Sequence, residues 1–315
     1  MYDTIIIGLG PAAVAAAIYA VRREMKTLVI GKEPGGQIVW AGEIENYPGF
    51  KTIMNYELIE KFNDHLKSAG VETIISEVQQ VEKDEEGNFK VHTSKEVYST
   101  KTVIVAMGLM PRRLAIKGEE KFSGKGISYC ANCDGPLFKN KVVAVVGGGN
   151  SALDAAEVLS KIAKQVYLIH RSDKFKAFDS LVEEVNNREN IKVIQHGEVK
   201  EINGNEKVEK ISVYYCETGI TEEIEINGVF IEVGRIAHTD LLENLVERDQ
   251  LKQVIVDDKC QTSTPGVFAA GDVTQVEFKQ ITVAMGQGTI AALTAYQYIQ
   301  RKEGKTVTRV MDRSK

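Results

Sequence analysis

Residues 4–13 read Thr-Ile-Ile-Ile-Gly-Leu-Gly-Pro-Ala-Ala, an apolar run that passes directly into a glycine-rich turn. An Ala-rich segment from Ala12 to Arg23 follows, and Thr27 to Ile30 forms the next apolar run. Strand, glycine turn, helix and strand in this order are typical of a β-α-β unit that binds a dinucleotide. The stretch therefore predicts a nucleotide-binding fold at the beginning of the chain.

The small residues of this turn have separate roles. Gly8 allows the tight turn, Gly10 lets the backbone approach a pyrophosphate, and Ala13 is small enough for close contact between helix and strand. The helix start beyond them would offer free N–H groups and a partial positive charge to the phosphates. Gly31 stands where an acid that binds ribose is expected, and Glu33 lies two residues later. The ribose contact therefore stays open.

A second box of the same kind begins near the middle of the chain. The apolar run 142–146 is followed by residues 147–152, Gly-Gly-Gly-Asn-Ser-Ala, whose first and third glycines and alanine take the same three roles. The next apolar run, 165–169, leads into residues 170–176, His-Arg-Ser-Asp-Lys-Phe-Lys. Cations at this point can accommodate a 2′-phosphate, which favours NADP over NAD. The alternative is a solvated basic loop.

Two cysteines separated by two residues lie between the boxes. The spacing of Cys130 and Cys133 lets the two sulfurs meet across one turn and cycle between dithiol and disulfide. A structural zinc site usually needs four ligands, and because no second such pair appears, no metal is predicted. The carboxyl group of Asp134 can exchange protons with a thiolate, or cap a helix. Cys216 and Cys260 stand alone and are expected to be ordinary surface or buried residues.

Length and composition restrict the class of protein. At 315 residues the chain is long enough for two domains of ordinary size. A hydrophobic fraction of 43% and a charged fraction of 26% match globular averages, and a net charge of -5 gives no reason to expect nucleic acid. No apolar run approaches the roughly 20 residues that span a bilayer. The first strand leaves no room for a signal peptide. We expect a cytoplasmic protein without a membrane partner.

In combination these motifs resemble the low-molecular-weight thioredoxin reductases, which belong to the pyridine nucleotide-disulfide oxidoreductases. The resemblance covers essentially the whole chain, including flavin-side loops at 35–37 and 45–49 and C-terminal flavin contacts at 270–273 and 279–282. It implies that FAD and a nicotinamide nucleotide are bound by Gly8, Gly10, Pro11, Ala12, Gly36, Gln37, Asn46, Gly108, Gly147, Gly149, Asn150, Ser151, Arg171, Lys176, Gly271, Asp272, Gln280 and Ile281.

The same resemblance implies a reaction. Reduced nicotinamide, with NADPH as the expected donor, passes a hydride to FAD, and the flavin reduces the Cys130–Cys133 disulfide. Cys133 faces the flavin, Cys130 attacks the disulfide of a thioredoxin or glutaredoxin-like protein, and Asp134 is the acid–base group. A homodimer and a rotation of the inserted domain are implied as well. The predicted enzyme is a flavin-dependent thioredoxin-disulfide reductase.

The fold class that follows is α/β, with two Rossmann-like three-layer nucleotide-binding domains, the second inserted in the first. The strand and Ala-rich helix that end the chain have no partner of their own, so we expect them to complete the first domain. The FAD-binding domain is predicted to comprise residues 1–111 and 243–315. Residues 112–242 are predicted to form the NAD(P)H-binding domain, which carries the redox cysteines.

The nucleotide clamp departs from the family pattern of His-Arg-Arg with a further Arg four residues later. Ser172 replaces one cation, and Lys176 replaces an arginine and so loses its bidentate fork. NADH, ferredoxin or reduced deazaflavin therefore stay open as donors. A nucleotide-binding redox sensor without turnover is a second alternative. A flavin-dependent NADP-ferredoxin reductase is disfavoured, because it would not need Cys130 and Cys133.

Overall fold

The computed structural model describes residues 1–40 and 43–306, and the chain forms two compact units. The first unit contains residues 1–39, 43–110 and 236–306, and the second contains residues 111–235. The second unit is thus inserted in the sequence of the first. The described residues include no helix long and apolar enough to cross a membrane.

Most strands are short and strongly apolar. In chain order they are β1 (Tyr2–Ile7), β2 (Thr27–Gly31), β3 (Glu43–Ile44), β4 (Ile53–Met54), β5 (Glu72–Ile75), β6 (Val78–Lys83), β7 (Phe89–Thr93), β8 (Val97–Val105), β9 (Met110–Pro111), β10 (Ile127–Ser128), β11 (Val142–Val146), β12 (Gln165–Ile169), β13 (Ile191–Ile194), β14 (Gly197–Gly204), β15 (Val208–Tyr215), β16 (Ile220–Glu225), β17 (Gly228–Ile231), β18 (Arg235–Ile236) and β19 (Val267–Ala269).

The described residues also contain six α-helices and four short 3-10 turns. The helices are α1 (Pro11–Arg22), α2 (Asn55–Ser68), α3 (Ala131–Asp134), α4 (Asn150–Ser160), α5 (Asp179–Asn186) and α6 (Ile281–Lys302). The 3-10 turns are Gly36–Trp40, Gly135–Phe138, Asp240–Leu242 and Gly271–Val273.

The sheet of the first unit has the strand order β5-β2-β1-β8-β7-β6, with β19 also paired to β8. The strands β5, β2, β1, β8 and β19 are parallel, and β7 and β6 add an antiparallel edge. Within β1 and β8, residues 4–7 and 102–105 are buried, as expected for strands covered on both faces. Because β19 arrives from the end of the chain, the last segment completes this sheet.

The second unit contains a parallel sheet of order β10-β17-β11-β12-β13 and an antiparallel sheet of order β14-β15-β16. The helices α3, α4 and α5 belong to this unit, and the buried apolar face of α4 packs on β11 and β12. The short strands β9 and β18 pair with each other, as do β3 and β4.

The predicted α/β fold class is confirmed, including the insertion of one unit in the other. The predicted limits of the two cofactor-binding domains stay a prediction, and residues 307–315 of the predicted first domain lie outside the described residues.

Helices α1 and α6 meet in the first unit at a point where one helix backbone touches the other. A Cβ atom on Gly288 of α6 would lie 2.1 Å from the carbonyl oxygen of Ala12, so only a residue without a side chain fits there. Ala291, Ala292 and Ala295 continue the buried face of α6 with side chains of minimal size. The C-terminal helix is thereby held directly against the helix that follows the first glycine turn.

We predict that Gly288→Ala lowers the midpoint of thermal unfolding, whereas Gly286→Ala on the same helix does not. A methyl group at 288 collides with the Ala12 carbonyl, and overpacking of this kind costs about 1–3 kcal/mol. No heavy atom lies within 4 Å of a Cβ built on Gly286, so alanine there gains up to about 1 kcal/mol in helix propensity. Calorimetry of both variants measures the difference, and equal midpoints would contradict it.

Candidate functional site

The first glycine turn of the first unit is closed by a backbone contact. Gly8 has φ of 125°, and a Cβ there would lie 2.1 Å from the carbonyl oxygen of Ala106, at the end of β8. Helix α1 then begins at Pro11, which needs no N–H partner at this position. Gly10 is its N-cap and provides no side-chain cap. The first N–H groups of α1 are therefore available to an anion.

Residues from two other segments of this unit, 36–37 and 271–272, lie beside the turn. A Cβ on Gly36 would lie 3.1 Å from the Cα of Gly10, so the segment that follows β2 is in contact with the first glycine turn. Gly271, with φ of 78°, lies against the side chain of Ala12, 2.9 Å from a Cβ built at 271. The amide of Gln37 donates a hydrogen bond of 2.5 Å to the carboxylate of Asp272.

Among the remaining residues predicted on the flavin side, Gly108 lies near Gln37, and Asn46 is bonded to Gln280. A Cβ on Gly108 would lie 3.7 Å from the amide nitrogen of Gln37. Asn46 donates to the side-chain oxygen of Gln280 at 3.2 Å, and Ile281 is the first residue of α6. Gln280, the N-cap of α6, makes no capping hydrogen bond with its side chain.

Two supporting residues were not among the predicted binding residues. The ammonium group of Lys279 donates to the carbonyl oxygens of Asp272 at 3.0 Å and Thr274 at 2.7 Å, and burial lowers the pKa of Lys279. The side chain of Gln287 accepts a hydrogen bond of 2.8 Å from the backbone N–H of Gly271. Lys279 lies in a stretch that the family resemblance covers, whereas no local pattern indicates Gln287.

This part of the first unit fits a dinucleotide cofactor. Gly8 allows the tight turn after β1, Gly10 has no side chain to keep a pyrophosphate from the backbone, and the uncapped start of α1 supplies N–H donors. The carboxylate of Asp272 is held in place by Gln37 and can accept further hydrogen bonds from hydroxyl groups. The residues are therefore suited to hold both phosphates and a polyhydroxy chain.

The second unit repeats the glycine turn. A Cβ on Gly147, which has φ of 152°, would lie 2.2 Å from the carbonyl oxygen of Glu232. Gly149 is the N-cap of α4 and makes no side-chain cap, while Ala152 is fully buried against the sheet. Burial raises the pKa of Glu232 to about 7, partly opposed by Arg235. No local sequence pattern indicates Glu232, whose backbone carbonyl lies beside the turn.

The basic loop after β12 is tied to this turn by its backbone. The N–H of Lys176 donates to the carbonyl oxygen of Gly148 at 2.7 Å, and the N–H of Phe178 donates to the side chain of Asn150 at 2.9 Å. Asn150 thereby holds the loop, and Ser151 follows in the exposed first turn of α4. The loop that carries the predicted cations is thus fixed beside the start of the helix.

Histidine 170 has a different environment from the one predicted. Its ring lies 2.1 Å from the position of a Cβ on Gly148, and its Nε2 atom is 3.0 Å from the carbonyl oxygen of Lys174. It therefore packs on the turn and bonds within its own loop. Arg171 and Lys176 are exposed, and within the described part of the chain their side chains form no ion pair. These two cations are available to a bound anion.

The two predicted redox cysteines form a disulfide, with Cα atoms 5.3 Å apart. Cys130 is the N-cap of α3 and is 6% exposed, whereas Cys133 is exposed. The backbone N–H of Cys133 donates to the sulfur of Cys130 at 3.1 Å. Asp134 directly precedes the turn at 135–138, but its side chain makes no capping hydrogen bond, so the alternative role as a helix cap is not seen.

Of the other two cysteines, one lies at the surface and one is buried. Cys216 is exposed on the second unit, and Cys260 is buried in the first. Burial raises the pKa of Cys260 to about 12, so its thiol stays protonated. Among the described residues, no group of three His, Cys, Asp or Glu side chains is placed to hold a metal ion.

Comparison with known proteins gives three findings on relatives. The chain is 38% identical over 303 residues to a thioredoxin reductase of Listeria monocytogenes, covering 95% of this chain and 94% of that protein. It is 36% identical over 301 residues to an NADH dehydrogenase of Bacillus subtilis, of which it spans 59%. A solved thioredoxin reductase of Lactococcus lactis has 39% identity and a TM-score of 0.88, covering 96% of this chain and 100% of that one.

The family model described as pyridine nucleotide-disulphide oxidoreductase matches residues 2–288, which include both glycine turns and the cysteine pair. The predicted resemblance to the low-molecular-weight thioredoxin reductases is therefore confirmed. The chain belongs to the pyridine nucleotide-disulphide oxidoreductase family.

Proposed function

We propose that this protein is an FAD-dependent thioredoxin-disulfide reductase, with NADPH as the electron donor. The observation that carries the proposal is the Cys130–Cys133 disulfide, which lies in the same chain as two glycine turns with open helix starts. A pair of cysteines three positions apart serves disulfide exchange, whereas electron transfer between two nucleotides alone does not require it. The proposed partner is a thioredoxin or glutaredoxin-like protein, and the proposed assembly is a homodimer.

The sulfur chemistry follows from the surroundings of the two cysteines. In the dithiol state, the N–H that points at the Cys130 sulfur would stabilise a thiolate there. Once local opening exposes Cys130, that thiolate attacks a partner disulfide, an S–S bond between Cys130 and the partner forms, and the second partner sulfur leaves as a thiolate. The Cys133 sulfur then attacks Cys130, re-forms the internal disulfide and releases the partner as a dithiol. Asp134 is the proposed acceptor of the Cys133 proton.

The residues of the first unit define the proposed flavin site. The turn at Gly8 and Gly10 and the start of α1 would bind the pyrophosphate, which favours FAD over a flavin mononucleotide. Asp272, fixed by Gln37 and Lys279, would accept hydrogen bonds from the ribityl chain. FAD, when bound and reduced by the nucleotide donor, would supply the two electrons that return the cysteine pair to the dithiol.

The proposed donor rests on the second unit. Arg171 and Lys176 lie on the loop that is tied to the turn at Gly148, where a 2′-phosphate of NADPH would meet both cations. NADH is the competing donor, because a clamp made of Arg171 and Lys176 offers less to a phosphate than the family pattern. The similarity to proteins named NADH dehydrogenase points in the same direction.

We predict that Cys133→Ser reduces thioredoxin reduction to below about 1% of the wild-type rate, because the internal disulfide can no longer re-form. The variant should instead accumulate a mixed disulfide between Cys130 and the partner. Cys216→Ser, which removes the exposed cysteine outside the pair, should retain full activity. Insulin reduction coupled to thioredoxin measures the rate, and full activity of Cys133→Ser would exclude the proposed relay.

We predict that NADPH reduces the bound flavin faster than NADH does. Anaerobic titration of the purified protein with each nucleotide, followed by the visible absorption of the flavin, measures this. Bleaching by NADH alone would reverse the assignment of the donor. If neither nucleotide reduces a flavin that dithionite does reduce, the donor is ferredoxin or a deazaflavin, and the NADPH part of the proposal is wrong.

We predict that the double variant Ser172→Arg, Lys176→Arg lowers the KM for NADPH about tenfold, since a bidentate contact to phosphate adds on the order of 1.5 kcal/mol. The kcat and the KM for NADH should stay unchanged. Lys174→Arg on the same loop is the control, because His170 contacts the carbonyl of Lys174 and not its side chain. Steady-state kinetics measure these constants, and an unaltered KM for NADPH would count against a clamp at this loop.

A further inference from the structure

The backbone of Cys130 is held by the residue two positions before it. Ser128 is 4% exposed, and its hydroxyl accepts a hydrogen bond of 3.0 Å from the N–H of Cys130. The same hydroxyl donates to the carbonyl oxygen of Cys130 at 3.2 Å. The backbone N–H and the carbonyl oxygen of Cys130 are therefore both hydrogen-bonded to the hydroxyl of Ser128, the last residue of β10.

A buried carboxylate holds the residue between Ser128 and Cys130. Glu119 is 3% exposed and accepts a hydrogen bond of 2.7 Å from the hydroxyl of Tyr129. It also accepts backbone N–H groups of Leu114 at 3.0 Å and Ala115 at 2.6 Å. A buried carboxylate is costly unless its oxygens are satisfied, and here three donors satisfy it.

Two further observations concern the hydrogen bonds that Glu119 accepts from Ala115 and Tyr129. Ala115 has φ of 57°, a left-handed conformation that a residue with a side chain rarely adopts, and its N–H points at Glu119. Burial and the hydrogen bond to Glu119 raise the pKa of Tyr129 well above its usual value, so the phenol remains a donor. The carboxylate thus joins the segment at 114–115 to the residue directly before the redox pair.

We propose that Glu119 and Tyr129 are positioning residues for the redox pair, because they fix the segment that keeps Cys130 buried while Cys133 is exposed. Tyr129 is restrained through its side chain, and Ser128 restrains Cys130 through the backbone. Neither Glu119 nor Tyr129 needs to touch a substrate for this role. That this positioning matters for catalytic turnover rests on the proposed disulfide reductase function. Its effect on the alkylation rates of Cys130 and Cys133 does not.

The test is alkylation of the two cysteines in the full-length protein after reduction with dithiothreitol. Iodoacetamide labelling over a range of pH, followed by peptide mapping, gives a separate rate for each sulfur. Labelling of the buried Cys130 requires local opening of its segment, and in the wild-type protein this opening breaks the hydrogen bond between Tyr129 and Glu119. Tyr129→Phe lacks that bond and opens more readily, so we expect the labelling rate of Cys130 to rise roughly tenfold. The Cys133 rate should remain unchanged.

Two further comparisons separate positioning from general stability. Adding Tyr129→Phe to Glu119→Leu should change the Cys130 rate by less than about threefold beyond Glu119→Leu alone, since residue 119 then has no oxygen to accept the hydroxyl. Tyr2→Phe removes a matched hydroxyl, which donates to Glu72 at 3.0 Å in the other unit, and should leave the ratio of the two rates unchanged.

A folded Tyr129→Phe protein with a lower unfolding temperature but an unchanged ratio of rates would overturn the proposal, since the pair would then act on stability alone. If Glu119→Leu does not fold, the comparison of Tyr129→Phe with Tyr2→Phe decides. The labelling uses no electron donor and no protein partner. A failure to reduce thioredoxin would therefore leave this result unaffected, and the two proposals can fail independently.

Discussion

The close approach of a backbone carbonyl to a glycine at each nucleotide turn is the constraint on which both units depend. At Gly8 the oxygen of Ala106 occupies the space of a Cβ, and at Gly147 the oxygen of Glu232 does the same. In each unit this contact allows a tight turn between a strand and the helix that follows it. The turn joins β1 to α1 beside the parallel strand β8, and β11 to α4 beside the parallel strand β17. Two residues later in each turn, the N-cap is Gly10 or Gly149, which has no side chain to cap the helix, so the first N–H groups stay open to a phosphate.

The parts of the fold and site that the sequence predicts are those encoded by short spacing. Both strand-turn-helix units and the cysteine pair depend on residues within a few positions of each other, so their patterns are readable without tertiary information. The contacts that complete the site join distant residues instead. Gln37 and Asp272 are 235 positions apart, and nothing local marks either as the partner of the other.

Polar residues within the second unit show a second limit of sequence reasoning. His170 stands where a cation for a 2′-phosphate was expected, yet its ring packs on Gly148 and bonds to the loop that it begins. Glu119 carries no motif, because the donors that justify its burial are backbone N–H groups and one phenol brought near by folding. The residue type alone did not reveal these roles, since burial and partners determine them.

The surroundings also make the cysteines chemically different from one another. The candidate flavin site depends in addition on residues that are far apart in the chain. Burial keeps Cys260 protonated, whereas Cys130 lies at a helix start with an N–H directed at its sulfur. The candidate flavin residues come from both ends of the chain, so β19 and α6 must join the first unit before Gly271 and Asp272 can meet Gln37. A ligand held by both segments stabilises only the completed unit. In this protein, therefore, binding of the proposed flavin and completion of the first sheet are thermodynamically linked.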